Sequence, residues 1–305
     1  MSSRSQLLRS FVIGIVAMIL IILIVLFPRQ LDITVERYKV MAEYQFSWDV
    51  YWNNISEFFK GVVKDHSLGM TRHNDETAGA AVLRSMSFSL IIIVTAFTIS
   101  FVLGILKGIL DYQGSRRKIG FFGNWTTWLF QSIPDFLLLL LIQWLLIRYV
   151  PSLRIFALEG WTAFLLPSLL VSVYPLVYIA RITSASLASQ EGQLYIKVAR
   201  AKGLTRVLVL YKHMLANCVG SILSHLSSLF VYILSNLLMV EYFMNYPGAA
   251  LRLFLAMDYS ISYGTGQNYE PGVIIGICFC FMFLLLLVQW ISQMSRIYLD
   301  PRKGL

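Results

Sequence analysis

The sequence predicts an all-α membrane protein with six transmembrane helices. Three observations carry that expectation. Of the 305 residues, 57% are hydrophobic and only 13% charged, where a soluble domain carries about 25% charged residues. Apolar runs recur that are long enough to cross a bilayer, whose hydrocarbon core takes about 20 helical residues to span. The runs are continuous, whereas a membrane β-barrel shows short alternating segments.

The spans read, in order, 11–27, 85–106, 125–147, 161–180, 220–240 and 272–291. Arg4 and Arg9 precede the first. No small-x-small cleavage site follows it; the sequence "LFPRQLD" does, so it reads as a retained anchor. The chain divides into a first helix with its flanks (1–30), an extracytoplasmic loop (31–84), a five-helix core (85–295) and a tail (296–305). The outer loop has balanced charge and many aromatics: Tyr44, Phe46, Trp48, Tyr51, Trp52, Phe58 and Phe59. That mixture favours short interfacial helices over disorder, with the aromatics as an interfacial anchor.

Charge sets the orientation. With the N-terminus inside, the inner segments (1–10, 107–120, 181–213, 296–305) hold 15 Lys/Arg against 3 Asp/Glu. The outer segments hold 10 against 12, and Asp135 alone lies within a span. The positive-inside bias places both termini in the cytoplasm. The net charge of +9 is then topology signal and attraction to anionic lipid, so no nucleic-acid partner is expected.

The spans offer little chemistry. Asp135 is their exceptional ionisable residue, His225 lies in the fifth span as a packing or interhelical hydrogen-bond residue, and Glu241 sits at that span's outer end. An ion-coupled carrier needs charged or broken-helix sites near the midplane. There is no HExxH, no GxSxG and no P-loop. Cys218, Cys278 and Cys280 have no metal-ligand spacing, so neither a metal site nor a disulfide is expected. Energy and chemistry are therefore expected from another subunit.

The loop between the fourth and fifth spans, 190–213, is unusual. It contains "YIKVARAKGL" (195–204). As a helix it sets Ile196, Ala199 and Gly203 on one face at i, i+3 and i+7, where small residues let another surface come close. Gly203 suits a left-handed helix end. Lys197, Arg200 and Lys202 occupy neighbouring positions. A basic loop that only fixes topology has the same composition, and pattern alone leaves the two readings open.

"YIKVARAKGL", followed by His213 and Asn217, resembles the cytoplasmic signature loop of ABC-transporter permeases. The subfamily it is most similar to imports dipeptides, oligopeptides, and nickel or nickel chelates. "SLGMT" (67–71), "SIPDF" (132–136), the fourth span, "VEYFMNYPGAA" (240–250) and "LDPRKGL" (299–305) resemble family segments too. The chain departs from the family at Ser221, where a proline is usual, at "FPRQLD", at 31–64, and around Gln293, where an aspartate is usual. These departures bear on substrate class more than on overall function.

The resemblance implies a permease subunit of an ATP-driven importer in a bacterial or archaeal cell membrane, itself not an enzyme. Its loop would be the coupling helix between helices 4 and 5, seated in a groove of the ATPase through Tyr195, Ala199, Arg200, Ala201, Lys202, Gly203, Leu204 and His213. The implied partners are a second, homologous permease, two ABC ATPases that bind ATP and Mg, and an extracytoplasmic binding lipoprotein, all with membrane lipid around them. No cofactor is expected on this chain. Two readings are open for Asp135 beside Pro134: a carboxylate facing the pathway, or the start of a helix there. Two are open for Glu241 with Pro247 and Gly248: an outer gate or dock for the binding protein, or a turn ending the span with Glu241 solvated. Cargo is expected to be peptide. Nickel chelates, an energy-independent pore or secondary carrier, and an assembly subunit without a pathway are the rivals.

Overall fold

The computed structural model describes residues 3–29, 31–36, 39–72, 76–116, 124–150, 162–258 and 269–299. The Asp300-Pro301-Arg302 part of the C-terminal motif and the side chain of Asp135 lie outside them. The order is α1 (Ser3–Val25), β1 (Leu31–Glu36), β2 (Lys39–Tyr44), α2 (Trp48–Lys64), α3 (Ala78–Arg116), α4 (Asn124–Ser132), α5 (Asp135–Tyr149), α6 (Thr162–Ser189) and α7 (Leu194–Ala201). There follow α8 (Arg206–Leu208), a π-helical segment (Val209–Leu215), α9 (Ala216–Leu223), α10 (Leu226–Phe243), α11 (Ala249–Ala256) and α12 (Pro271–Leu299).

Five helices among the described residues are long and apolar enough to cross a membrane: α1, α3, α6, α10 and α12. The third expected span differs. It is broken at Ile133–Pro134 into α4 and α5. Proline has no N–H to donate and pushes the residue before it out of the helical region. The 15 residues of α5 reach about 22 Å at 1.5 Å each, short of the roughly 30 Å hydrocarbon core. The fifth span also starts later than 220, because a turn at Ser224–His225 separates α9 from α10. In the segment between the first two spans, α2 is a short helix of the kind expected there. The antiparallel hairpin β1–β2, pairing Leu31 with Tyr44 and Glu36 with Lys39, was not expected.

The residues group into two compact units, one of Arg9–Leu90 and Pro247–Leu284, the other of Met1–Leu8, Ile91–Tyr246 and Leu285–Leu305. In the first, α1, the start of α3, α11 and the start of α12 enclose a core of Val25, Leu26, Ala78, Val82, Met86, Ala249, Val273 and Ile274. The Leu68-Gly69 segment is clamped here: Ala78 N–H donates to the Gly69 carbonyl at 2.8 Å. A Cβ on Gly272 would lie 1.9 Å from the Leu68 carbonyl oxygen, so only glycine fits under that loop. Tyr51 Oη donates to the Leu23 carbonyl at 2.9 Å and Asn54 Nδ2 to the Leu26 carbonyl at 3.2 Å, tying α2 across the end of α1.

In the second unit α3 crosses α6 at Gly104 and Gly108. A Cβ on Gly108 would meet the Ala180 carbonyl oxygen and Thr183 Cβ, each at 2.5 Å. This small-xxx-small spacing lets two membrane helices approach backbone to backbone. Beside Gly108, Lys107 Nζ donates to both oxygens of buried Asp111, one turn on (2.8 and 3.0 Å), and to Thr126 and Thr127 on α4. Thr127 Oγ1 also donates to Asp111 Oδ2 at 2.7 Å. Buried charge is tolerable when paired and hydrogen-bonded in this way. His225, expected within the fifth span, stands in the turn just before α10, and its Nδ1 pairs with Tyr178 Oη on α6 at 2.8 Å.

Candidate functional site: the surface of α7 and the turn at Gly203

The segment 194–204 folds as its sequence dictates. α7 runs from Leu194 to Ala201, and Gly203 follows with φ +77°. Leu204 N–H donates to the Ala199 carbonyl (3.3 Å) and Gly203 N–H to the Arg200 carbonyl (3.0 Å). That pair of bonds is a Schellman motif, in which a left-handed residue lets the chain satisfy the last carbonyls of the helix. Ala199 and Leu204, the third helical residue from the end and the second beyond the cap, both join the hydrophobic cluster below, which is the apolar contact that completes the motif.

The two faces of α7 are unlike. Ile196 and Ala199 are buried. They pack with Leu187 of α6, Ile109 and Tyr112 of α3, Val209, Leu210 and Met214 of the π segment, and Cys218 of α9. This corrects the sequence reading in one respect. The face holding Ile196 and Ala199 turns into the chain's own core, because the isoleucine and the alanine complete an apolar cluster that α3 and α6 leave open. The exposed surface is the opposite one. Leu194 is 78% exposed and Val198 52% exposed, and Ala201 is exposed with them at the i, i+4, i+7 spacing of one helix face. Lys197, Arg200, Lys202 and Gly203 are exposed around it. No atom lies within 4 Å of the space a Cβ on Gly203 would take. The glycine is thus required here by its backbone angle and by nothing crowding it.

The loop is held at several other points. Tyr112 Oη donates to Glu191 Oε1 at 2.5 Å, and Tyr195 Oη donates to Gln190. Thr205 Oγ1 accepts from Leu208 N–H at 3.4 Å, capping α8. His213 stands on the π segment, and its carbonyl accepts from Asn217 Nδ2 at 2.7 Å. Single-turn π segments commonly mark functional places in helices. Burial raises the Tyr195 hydroxyl above its usual range, with a smaller push from Cys218 and a small opposing hydrogen bond from Asn217. Burial pushes the Cys218 thiol up to about 11, so it stays a thiol at neutral pH and is a poor nucleophile.

The other expected site residues lie apart from α7 in the chain. Asp135 is the first residue of α5, as in the helix-start reading. Glu241 is fully buried in the last turn of α10, which overturns the solvated alternative. Its carbonyl accepts from Tyr246 N–H at 2.9 Å. Burial, and then the Glu241 charge, raise the Tyr246 hydroxyl above its usual range. The span does end in a turn here, with Asn245 at φ +50°. Pro247 and Gly248 lead into α11, whose first N–H, on Ala249, donates to Ser89 Oγ at 2.7 Å.

Sequence reasoning missed several residues. Leu194 and Val198 were legible as a second apolar stripe on α7, opposite Ile196 and Ala199. Gly104 and Gly108 form a plain G-x-x-x-G. A cleft of about 320 Å³ lined by Thr71, Arg72, Glu76, Arg84, Arg252 and Glu270 carried no local signal. Its ion pairs, Arg252–Glu270 and Arg84–Glu76, join residues remote or irregular in sequence. Among the described residues no group of three or more His, Cys, Asp or Glu is placed to hold a metal ion.

The chain is similar in sequence to known transport permeases. The dipeptide transport system permease protein DppB of Bacillus subtilis (strain 168) is 28% identical over 227 residues, covering 72% of this chain and 67% of that protein. A putative peptide permease protein of Brucella suis biovar 1 (strain 1330) is 23% identical over 241 residues, covering 75% and 72%. The glutathione transport system permease protein GsiC of Escherichia coli (strain K12) is 31% identical over 120 residues, 38% of each chain. Residues 100–302, which contain α7, its turn and the helices that carry them, match the inner membrane component of binding-protein-dependent transport systems; the chain is a multi-pass membrane protein of that family.

Proposed function

We propose that this chain is a permease subunit of an ATP-driven importer of di- or oligopeptides, and that the outer surface of α7 with the Gly203 turn is its contact with an ATPase. One observation carries the reading. The inner face of α7 is joined to α3 and α6 through a buried cluster, while its outer face offers exposed leucine, valine and alanine ringed by cations. Large aliphatic side chains gathered on an exposed face mark a surface that another protein covers. Lys197, Arg200 and Lys202 suit carboxylates or helix-end carbonyls on that protein.

Such a contact transmits force in both directions. A shift of α7 is passed through Ile196 and Ala199 to the cytoplasmic ends of α3 and α6. ATP binding that draws two ATPases together then favours one permease conformation by the difference in contact energy between the two states. This chain contributes no catalytic group; ATP and Mg are held by the partners. Both termini lie in the cytoplasm of a bacterial or archaeal cell, a second homologous permease completes the pathway, and a binding lipoprotein delivers substrate outside. Peptide cargo is supported by relatives named for dipeptide and glutathione transport. Tyr195, Arg200 and His213 complete the coupling region, Glu241, Pro247 and Gly248 belong to the pathway side, and Asp135 begins α5.

The test is purification from the native membrane under mild conditions with identification of what accompanies the chain. Recovery of two ATPases, a second permease and a binding protein is expected. Recovery alone or as a homo-oligomer, with uptake that follows an ion gradient, would make it a carrier. Peptide against nickel-chelate uptake in the recovered assembly decides cargo.

A further inference from the structure

We propose that α2 is a membrane-interface anchor whose Trp48, Trp52, Phe59 and Val63 sit in the headgroup–acyl boundary of the bilayer beside the end of α1. Helix α2 has three stripes. Tyr51, Ile55 and Phe58 pack against the unit's core. Asp49, Asn53, Glu57, Lys60 and Lys64 form an exposed polar stripe. Between them lies a third, at once apolar and exposed: Trp48 at 74%, Trp52 at 73%, Phe59 at 48% and Val63 at 69%. At 3.6 residues per turn these four fall within a sector of about 60°.

The height of this stripe is set by hydrogen bonds. Tyr51 and Asn54 bind the carbonyls of Leu23 and Leu26, at the point where the apolar run of α1 gives way to Pro28 and Arg29. Phe27, Phe46, Trp48 and Tyr51 stack into one aromatic cluster at the same level, with centroids 4.9–5.7 Å apart for Phe27–Phe46, Phe46–Trp48 and Phe27–Tyr51. The last turns of α1 expose Ile19, Leu20 and Ile24, as a lipid-facing helix does. Tryptophan is enriched at this depth because its ring is apolar and its N–H seeks water. A helix with an apolar stripe beside a polar, charged one lies in the interface plane, with the long stems of Lys60 and Lys64 carrying their charges out to the headgroups and water. Lipid is the occupant because the stripe lies alongside a span end at the boundary itself. The topology proposed above enters only in naming the leaflet as the outer one.

The test is nitroxide scanning of the whole assembly in vesicles of phosphatidylethanolamine and phosphatidylglycerol. Labels are placed through Asp49→Cys, Trp52→Cys, Phe58→Cys, Phe59→Cys and Val63→Cys. Collisions with oxygen and with a water-soluble nickel chelate are compared. Positions 52, 59 and 63 are expected to favour oxygen several-fold over position 49, and position 58 to meet neither reagent. Equal chelate access at 52, 59, 63 and 49 would overturn the proposal in favour of a solvated face. Protection from both reagents at 52, 59 and 63 would overturn it in favour of a protein partner there. If a labelled variant fails to assemble, quenching of tryptophan by brominated lipid is compared between the wild type and the Trp48→Phe/Trp52→Phe double variant. A smaller quenched fraction in the variant is expected, and an unchanged fraction overturns the idea. Neither readout depends on transport, so it fails or succeeds separately from the importer reading.

Discussion

Gly108 and Gly203 are the same residue under opposite constraints. At Gly108 the backbone of α3 meets α6 so closely that a Cβ would sit 2.5 Å from a carbonyl oxygen, and the conformation is an ordinary helix. At Gly203 the space is open and the conformation, φ +77°, is what a side chain resists. The first region is finished by the chain's own packing. The second is a helix end whose inner half is packed and whose outer half is left apolar and basic. The contrast separates what this chain needs in order to fold from the surface proposed above to meet another protein.

Substitutions sharpen that contrast. Gly108→Leu is expected to have the largest effect, costing about 3 kcal/mol or more through overpacking at a crossing that cannot spread. The folded chain should be lost from size-exclusion profiles in detergent, and uptake with it. A monodisperse variant would show that the α3–α6 crossing relaxes easily and would break the comparison.

Gly203→Leu or Gly203→Glu is expected to abolish uptake while the chain still inserts and purifies normally. Left-handed backbone costs a side chain about 1–2 kcal/mol, too little to unfold the unit but enough to unwind the Schellman turn and lift a bulky group from the docking surface. Wild-type uptake at normal expression would count against α7 as the coupling surface.

A smaller loss is expected from Leu194→Ser with Val198→Ser. Only the minority of interface side chains at the desolvated centre cost more than about 1 kcal/mol when truncated; as the centre of the proposed surface, this pair should lower ATPase recovery about tenfold when lost. Thermal stability of the chain should be unchanged because both side chains point outward. Ile196→Ala is the control. It should lower stability by about 2–5 kcal/mol, as other buried large-to-small changes do. If the two outcomes were reversed, the assignment of inner and outer faces would be wrong.

The smallest effect is expected from Asp135→Asn, with uptake and substrate preference within about twofold of wild type, since the residue begins a helix that Pro134 starts. A selective loss of uptake of cationic substrates, measured with peptides of different charge, would instead put the carboxylate on the pathway.

Much of this was readable from residue order. The apolar runs of α1, α3, α6, α10 and α12 follow from hydropathy because a helix in lipid must be apolar along about 20 consecutive residues. Gly203 was legible as a left-handed helix end, since a short basic helix followed by glycine has few other ways to stop. Leu31, Ile33 and Val35 alternate with polar residues in the two-residue period of a strand, yet lay in a stretch read as loop. The breaks at Pro134 and Ser224–His225 fell within continuous apolar runs, where hydropathy is blind to backbone conformation.

What the sequence determined by itself is a polytopic helical chain, its inside–outside charge bias and the local backbone of the loop that ends at Gly203, because each rests on neighbouring residues alone. Tertiary structure decided which face of α7 is spent on the core, which glycines are crowded, and that Glu241 is buried. It also decided that Lys107 and Asp111 reach α4. Those outcomes depend on what stands opposite a residue in space, and here the opposing groups come from helices that the chain order keeps apart.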